Sequence, residues 1–274
     1  MNNYLELLQD VLDNGIQKED RTGTGTISVF DRNLKWDLRE AFPAVTTKKL
    51  WMPGIKHELI WFLGNHLKLD EYKKDNRTNI RYLTDNKVNI WNEWADEDGN
   101  LGPVYGQQWR DWEGIDQIQN LINNLKTDPD SRRHLVSAWN VDQLNSMKLV
   151  PCHYGFQCYS EVIDGERYLS LKFTQRSVDV GLGLPFNIAS YGVLLTMLAQ
   201  CTGHKVKELS CALGDVHIYS NHIEQVKEQL TRETKEPCQL WINPDITDIN
   251  KFQSGDIKLV DYKSWPTIKM PIAI

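Results

Sequence analysis

The stretch GLPFNIASYGVLLTMLAQCTG, residues 183–203, decides the fold. From Pro185 onward apolar side chains occur on nearly every side of a helix, through Leu194, Leu195, Leu198 and Cys201, and Gly203 marks its stop. A surface helix carries one apolar stripe, so a helix apolar almost all round predicts a buried central element. Just upstream, Leu169, Leu171 and Phe173 alternate with Ser170, Lys172 and Thr174, which is the period of a strand over 167–174. Downstream, 206–216 reads as a strand and 221–230 as a helix.

Working outward, 134–140 and 153–161 also read as strands. Leu5, Leu7, Leu8, Val11 and Leu12 predict a first helix ending at Gly15, and PGIKHELIWFLG (53–64) a second. Ile115, Ile118, Ile122 and Leu125 predict an amphipathic helix over 115–126. Gly23 and Gly25 mark a turn into an alternating strand with Ile27 and Val29. Residues 66–88 are polar with little periodicity and read as a small surface excursion; the tail from Leu240 alternates in short extended pieces. Strands and helices do not alternate regularly, no repeat occurs, and no G-x-G-x-x-G follows a strand. The reading is α+β, one domain over 1–274.

Composition narrows the function. Apolar residues are 41% and charged ones 25% of 274, which excludes a disordered or disulfide-stapled chain. No apolar run suggests a membrane helix, and the start, MNNYLELLQD, lacks the pattern of a signal peptide. Five widely spaced cysteines suit reduced thiols, so a cytoplasmic location is expected. A net charge of −6 argues against a broad nucleic-acid-binding face; no DNA or membrane partner is expected.

A few residues stand apart chemically. Cys201, Cys211, Cys158 and Cys238 lie in apolar or strand segments and suit packing. Cys152 lies between Pro151 and His153 at a loop-to-strand junction, and cationic neighbours would make its thiol a nucleophile. Arg21, Arg132, Arg133 and Arg176 sit beside Thr22, Ser131 and Ser177 or a glycine turn, a grouping that suits a phosphate dianion. Glu58, among Ile60, Trp61 and Phe62, is either at a helix edge or an acid/base with a raised pKa. Asn187 offers a donor and an acceptor side by side, as the O4/N3–H edge of a pyrimidine requires, or else bonds its own helix terminus. His217 and Tyr219, two apart in GDVHIYSNH, point the same way, and Trp91 with Trp94 suits either the core or a flat ligand.

Taken together, DRTGTGT (20–26), HELIWFLG (57–64), IWNEWADEDGNLGPVYG (90–106), DPDSRRH (128–134), PCH (151–153), QRSVDVGLGLPFNIASY (175–191), GDVHIYSNHIEQV (214–226) and the closing IKMPIAI resemble the thymidylate synthase family in order and spacing. The resemblance implies a large mixed sheet that forms a homodimer interface, with helices packed on its other side. It implies methylation of dUMP by 5,10-methylenetetrahydrofolate to give dTMP and dihydrofolate, with no metal. Cys152 would add to C6 of the uracil, assisted by Glu58, Tyr105, Arg176 and His153. Arg21, Arg176 and Ser177, with Arg132 and Arg133 from the partner subunit, would grip the phosphate. Asn187 would read the base, His217 and Tyr219 would bind the sugar, and Asp179 would serve both ligands. Ile90, Trp91, Trp94, Leu182, Gly183 and Phe186 would wall the folate, Lys48 would meet its glutamate tail, and Ile272, Ala273 and Ile274 would close over it.

Several positions depart from the family pattern. Gly155, Cys158, Thr174 and Gly181 stand where aromatic residues are usual, and Asn92 where Asp is frequent. Extra space near the pterin would let water replace hydride in the last step and make the enzyme a dUMP hydroxymethylase. An idle nucleotide- or RNA-binding relative is the other alternative.

Overall fold

The computed structural model describes residues 1–20 and 22–272. Arg21, Ala273 and Ile274, all expected at the site, lie outside the described residues. In chain order the main elements are α1 (Asn2–Asn14), β1 (Ile16–Lys18), β2 (Thr26–Asp37), α2 (Met52–Phe62), α3 (Arg81–Asp85), α4 (Tyr105–Arg110) and α5 (Gln117–Thr127). They continue with β3 (Leu135–Ser137), β4 (His153–Ile163), β5 (Glu166–Asp179), α6 (Gly183–Thr202), β6 (Lys205–Tyr219), α7 (Ile223–Leu230), β7 (Gln239–Ile242) and β8 (Ile257–Val260).

Six strands form a mixed sheet in the order β1-β2-β6-β5-β4-β3. Only β5 and β6 run parallel; the other neighbours are antiparallel hairpins or returns. Parallel neighbours need a crossover, and α6 supplies it. The helix is buried as its composition predicts: Ile188, Val193, Leu194, Leu195 and Leu198 are wholly inaccessible. It is long and apolar enough to cross a membrane, contrary to the expectation that no segment is, but most of it is enclosed by the protein. Tyr191 stacks flat on Phe173 of β5, 4.4 Å between ring centres, which fixes helix to sheet. At Gly192 a Cβ would stand 2.9 Å from the Phe42 ring, so the helix approaches its neighbour closely there. Gly203 closes the helix at φ +73°, a conformation glycine adopts without steric cost.

Three expectations need correction. Residues 66–88 are no mere surface excursion, because Tyr72, Ile80, Tyr82, Leu83 and Val88 are buried. The expected strand 134–140 contracts to β3, and the helix expected from 115 begins at Gln117, where Asp116 caps it by accepting from the Gln119 amide. Ile115 is left half-exposed as a result. The missing aromatic residues at Gly155 and Thr174 prove to be one feature, since these residues are direct cross-strand partners and Thr174 pairs onward with Ala212. Together they make a row of small side chains on the sheet face away from Phe173.

Truncating the central helix tests this account. Leu195→Ala should lower unfolding free energy by about 2–5 kcal/mol, read as a shift in the urea midpoint at unchanged slope.

Candidate active site

The parallel pair sets the site's frame. Register places Ser177 beside Asp215 and Asp179 beside His217, so the carboxyl ends of β5 and β6 open at one edge with the start of α6 between them. A cavity of about 540 Å³ lies there. Its lining includes Arg176, Ser177, Asp215, His217 and Tyr219 as one chemical group and Ile90, Trp91, Trp94, Leu182 and Gly183 as another. Its size is within the usual range for small-molecule sites, and the two groups differ in chemistry: one charged and hydroxylic, the other flat and apolar.

Cys152 lines the same cavity. Its amide donates to the Tyr105 hydroxyl oxygen at 2.8 Å, and its carbonyl accepts from the Arg176 amide at 2.8 Å. The Cys152 backbone is therefore held from two sides by the protein itself. Burial pushes the thiol pKa up; the Arg176 charge opposes this and Asp179 adds to it. The expectation that Arg176 makes the thiol acidic is thus right in direction but outweighed by desolvation. The guanidinium is also engaged elsewhere, donating to the Pro151 and Val150 carbonyls at 2.9 and 3.0 Å and lying over the Trp139 ring. Gly214, on the neighbouring strand, makes room for this arginine: a Cβ there would fall 2.9 Å from the Arg176 carbonyl oxygen.

Glu58 faces the cavity from α2 and accepts from the Trp91 indole N–H at 2.8 Å. Burial raises its pKa to about 7, and the Trp91 hydrogen bond only partly offsets this. A carboxyl near neutrality is suited to both giving and taking a proton. Trp91 therefore satisfies both of its sequence readings, being packed in the core and lining the cavity. Tyr105 is buried and its pKa is driven well above the usual phenol value, chiefly by desolvation. Because its oxygen accepts from Cys152, its own proton is left to point elsewhere. His153 stacks on Tyr105 at 4.3 Å and pairs through Nδ1 with the Tyr191 hydroxyl at 2.9 Å. Burial lowers its pKa to about 3, so it is a neutral platform for Tyr105.

Asn187 lines the cavity, and its amide makes no hydrogen bond to any described residue, so the helix-terminus reading is not realised. Asp179 spends one oxygen on the Leu182 amide at 2.9 Å and so holds the turn into α6. Other expected residues are not brought together. Arg132 and Arg133 are exposed on the segment before β3 and do not line the cavity. Phe186 packs against the core. Lys48 is buried, with Nζ on the Gly181 carbonyl and 3.8 Å from the Met270 sulfur, and burial lowers its pKa to about 8. Sequence reasoning missed Lys18, Asp20, Gln175 and Asp215, which also line the cavity. Asp215 was within reach: it alternates with His217 along one strand and accepts from its Nδ1 at 3.1 Å, while Lys18 pairs with its other oxygen.

The family model described as thymidylate synthase matches residues 2–274. The chain therefore belongs to the thymidylate synthase family, whose members are methyltransferase-type enzymes of nucleotide biosynthesis that use a folate co-substrate and are generally dimers.

The Glu58 environment has a measurable consequence for folding. A carboxyl with a folded pKa of about 7 keeps its proton where the unfolded chain has released it, so stability falls as pH rises from about 4.5 to about 7. Glu58→Gln is neutral throughout, so it should gain on the parent chain by about 1–3 kcal/mol between about pH 5 and about pH 8 in urea titrations.

Proposed function

We propose that this member of the family converts dUMP and 5,10-methylenetetrahydrofolate to dTMP and dihydrofolate. The observation that carries the reading is the convergence on one cavity of a backbone-clamped thiol, a carboxyl poised near neutrality and an unspent side-chain amide. The charged, hydroxylic group suits the nucleotide, with Arg176 and Ser177 toward phosphate and His217 and Tyr219 toward the sugar. Asn187 reads the base through paired donor and acceptor. The flat, apolar group suits a pterin, with Trp91, Trp94, Leu182 and Gly183 as its walls.

In this reading Cys152 loses its proton and its sulfur bonds to C6 of the uracil, so the ring's electron pair moves to C5 and O4. Asn187 and a water ordered by Glu58 stabilise the charge on O4. The folate supplies the one-carbon unit and the hydride. Tyr105, its oxygen fixed by the Cys152 amide, directs its hydroxyl toward the water that takes the C5 proton. With C5 bonded to the one-carbon unit, loss of that proton breaks the bond from this carbon to the folate nitrogen and leaves a methylene on C5; hydride from the folate then makes it methyl as the C6–S bond breaks and the ring is restored.

The same proposal extends to assembly. Arg132 and Arg133 are exposed and, among the described residues, pair with no carboxylate, which suits service in the cavity of a second copy. Tyr159 is 63% exposed on the sheet face away from α6, and a homodimer through that face would cover it. All five cysteines are free thiols, which suits the reducing cytoplasm. The hydroxymethylase alternative gains no support at Gly181, because Val226, Asp179 and Met270 already crowd the place where its side chain would begin.

Incubating protein, dUMP and 5,10-methylenetetrahydrofolate and identifying both products tests the reading. Dihydrofolate with dTMP is expected; tetrahydrofolate with 5-hydroxymethyl-dUMP, or no product, would overturn it. Cys152→Ser should abolish turnover and leave dUMP binding within about tenfold of the parent.

A further inference from the structure

We infer that His222 is a positioning residue that fastens the C-terminal segment to the nucleotide-binding lining of the cavity, so that the folate-binding lining is assembled from that side. The inference rests on the functional reading above, since it takes the two groups of lining residues as two substrate sites. His222 closes the short turn Ser220–His222 that directly follows Tyr219 at the end of β6. The ring is wholly inaccessible, and its Nε2 lies 2.6 Å from the Pro271 carbonyl oxygen. A carbonyl only accepts, so Nε2 carries the proton and the tautomer is fixed. Nδ1 is buried and has no hydrogen-bond partner among the described residues, so the bond to Pro271 is the ring's one hydrogen bond among them.

The other contacts give that bond its meaning. The His222 ring meets Tyr219 edge-on, 5.7 Å between centres, so the sugar-side residue and the anchor pack together. The turn is itself pinned, the Ser220 amide donating to the Gly25 carbonyl at 2.9 Å. One residue beyond Pro271, Ile272 lines the cavity. One residue before it, Met270 touches Lys48, whose ammonium also holds the Gly181 carbonyl ahead of Leu182 and Gly183. The C-terminal segment is thus tied to the nucleotide side by His222 and to the folate turn by Lys48. A lost Nε2–H would leave the Pro271 carbonyl without its donor and free the first of these ties.

The test starts with the parent chain and needs no turnover. In long-range ¹H–¹⁵N spectra of histidine-labelled protein, His222 should show the Nε2–H tautomer, and an Nδ1–H tautomer would overturn the inference. Two variants then probe function: His222→Gln, which retains an N–H donor at similar reach, and His222→Leu, which does not. His222→Leu should speed deuterium uptake in the C-terminal peptide by about fivefold or more, and His222→Gln should restore most of the protection. His222→Leu should also raise KM for the folate by about tenfold while KM for dUMP stays within about twofold. Equal rises in both KM values, or no rescue by Gln, would overturn it. Should the parent protein form no dTMP, the functional reading fails, while the tautomer and exchange data still decide the anchoring.

Discussion

The parallel pairing of β5 with β6 is the constraint from which the rest follows. Two parallel neighbours cannot be joined by a tight turn, and here a 20-residue helix makes the return. That helix is apolar on nearly every side, so it must be enclosed, and the sheet below it and the helices around it are arranged to enclose it. The same geometry brings the carboxyl ends of both strands to one edge and starts α6 between them. Ser177, Asp179, Asn187, His217 and Tyr219 become neighbours because of a packing requirement that has nothing to do with chemistry.

Within that frame burial works against charge on several interior groups, while Arg176, Lys18 and Asp215 stay toward the rim. Desolvation raises the Cys152 thiol and the Glu58 carboxyl and lowers the His153 imidazole, so each is pushed to its uncharged form. Arg176 and the Lys18–Asp215 pair remain more exposed. A site built this way stores reactivity as unfavourable burial, which substrate charge and hydrogen bonds can relieve.

Much of this is legible in the chain and some is not. The central helix, the alternation of β5 and the paired direction of His217 and Tyr219 follow from local periodicity, which a single sequence carries in full. Cys152 and Glu58 stand out because their chemistry conflicts with their surroundings. Register between strands distant in sequence does not show, so the pairing of Gly155 with Thr174 could not be read. Segment 66–88 lacks periodicity because its buried residues come from turns and short helices. The surroundings of Lys48 depend on tertiary contacts with distant segments, and only the fold shows Gly181 and Met270 gathered around it.

Gly214 carries an evolutionary consequence. Its lack of a side chain lets the Arg176 backbone pass within contact distance, so the spacing of the two central strands is set by a missing atom. Lining positions such as Lys18 and Ile90 carry side chains that end in the open cavity. Position 214 has no such room: even alanine would wedge the strands apart and carry the arginine with them. The least reactive residue in the neighbourhood is in this sense among the least replaceable, through volume alone.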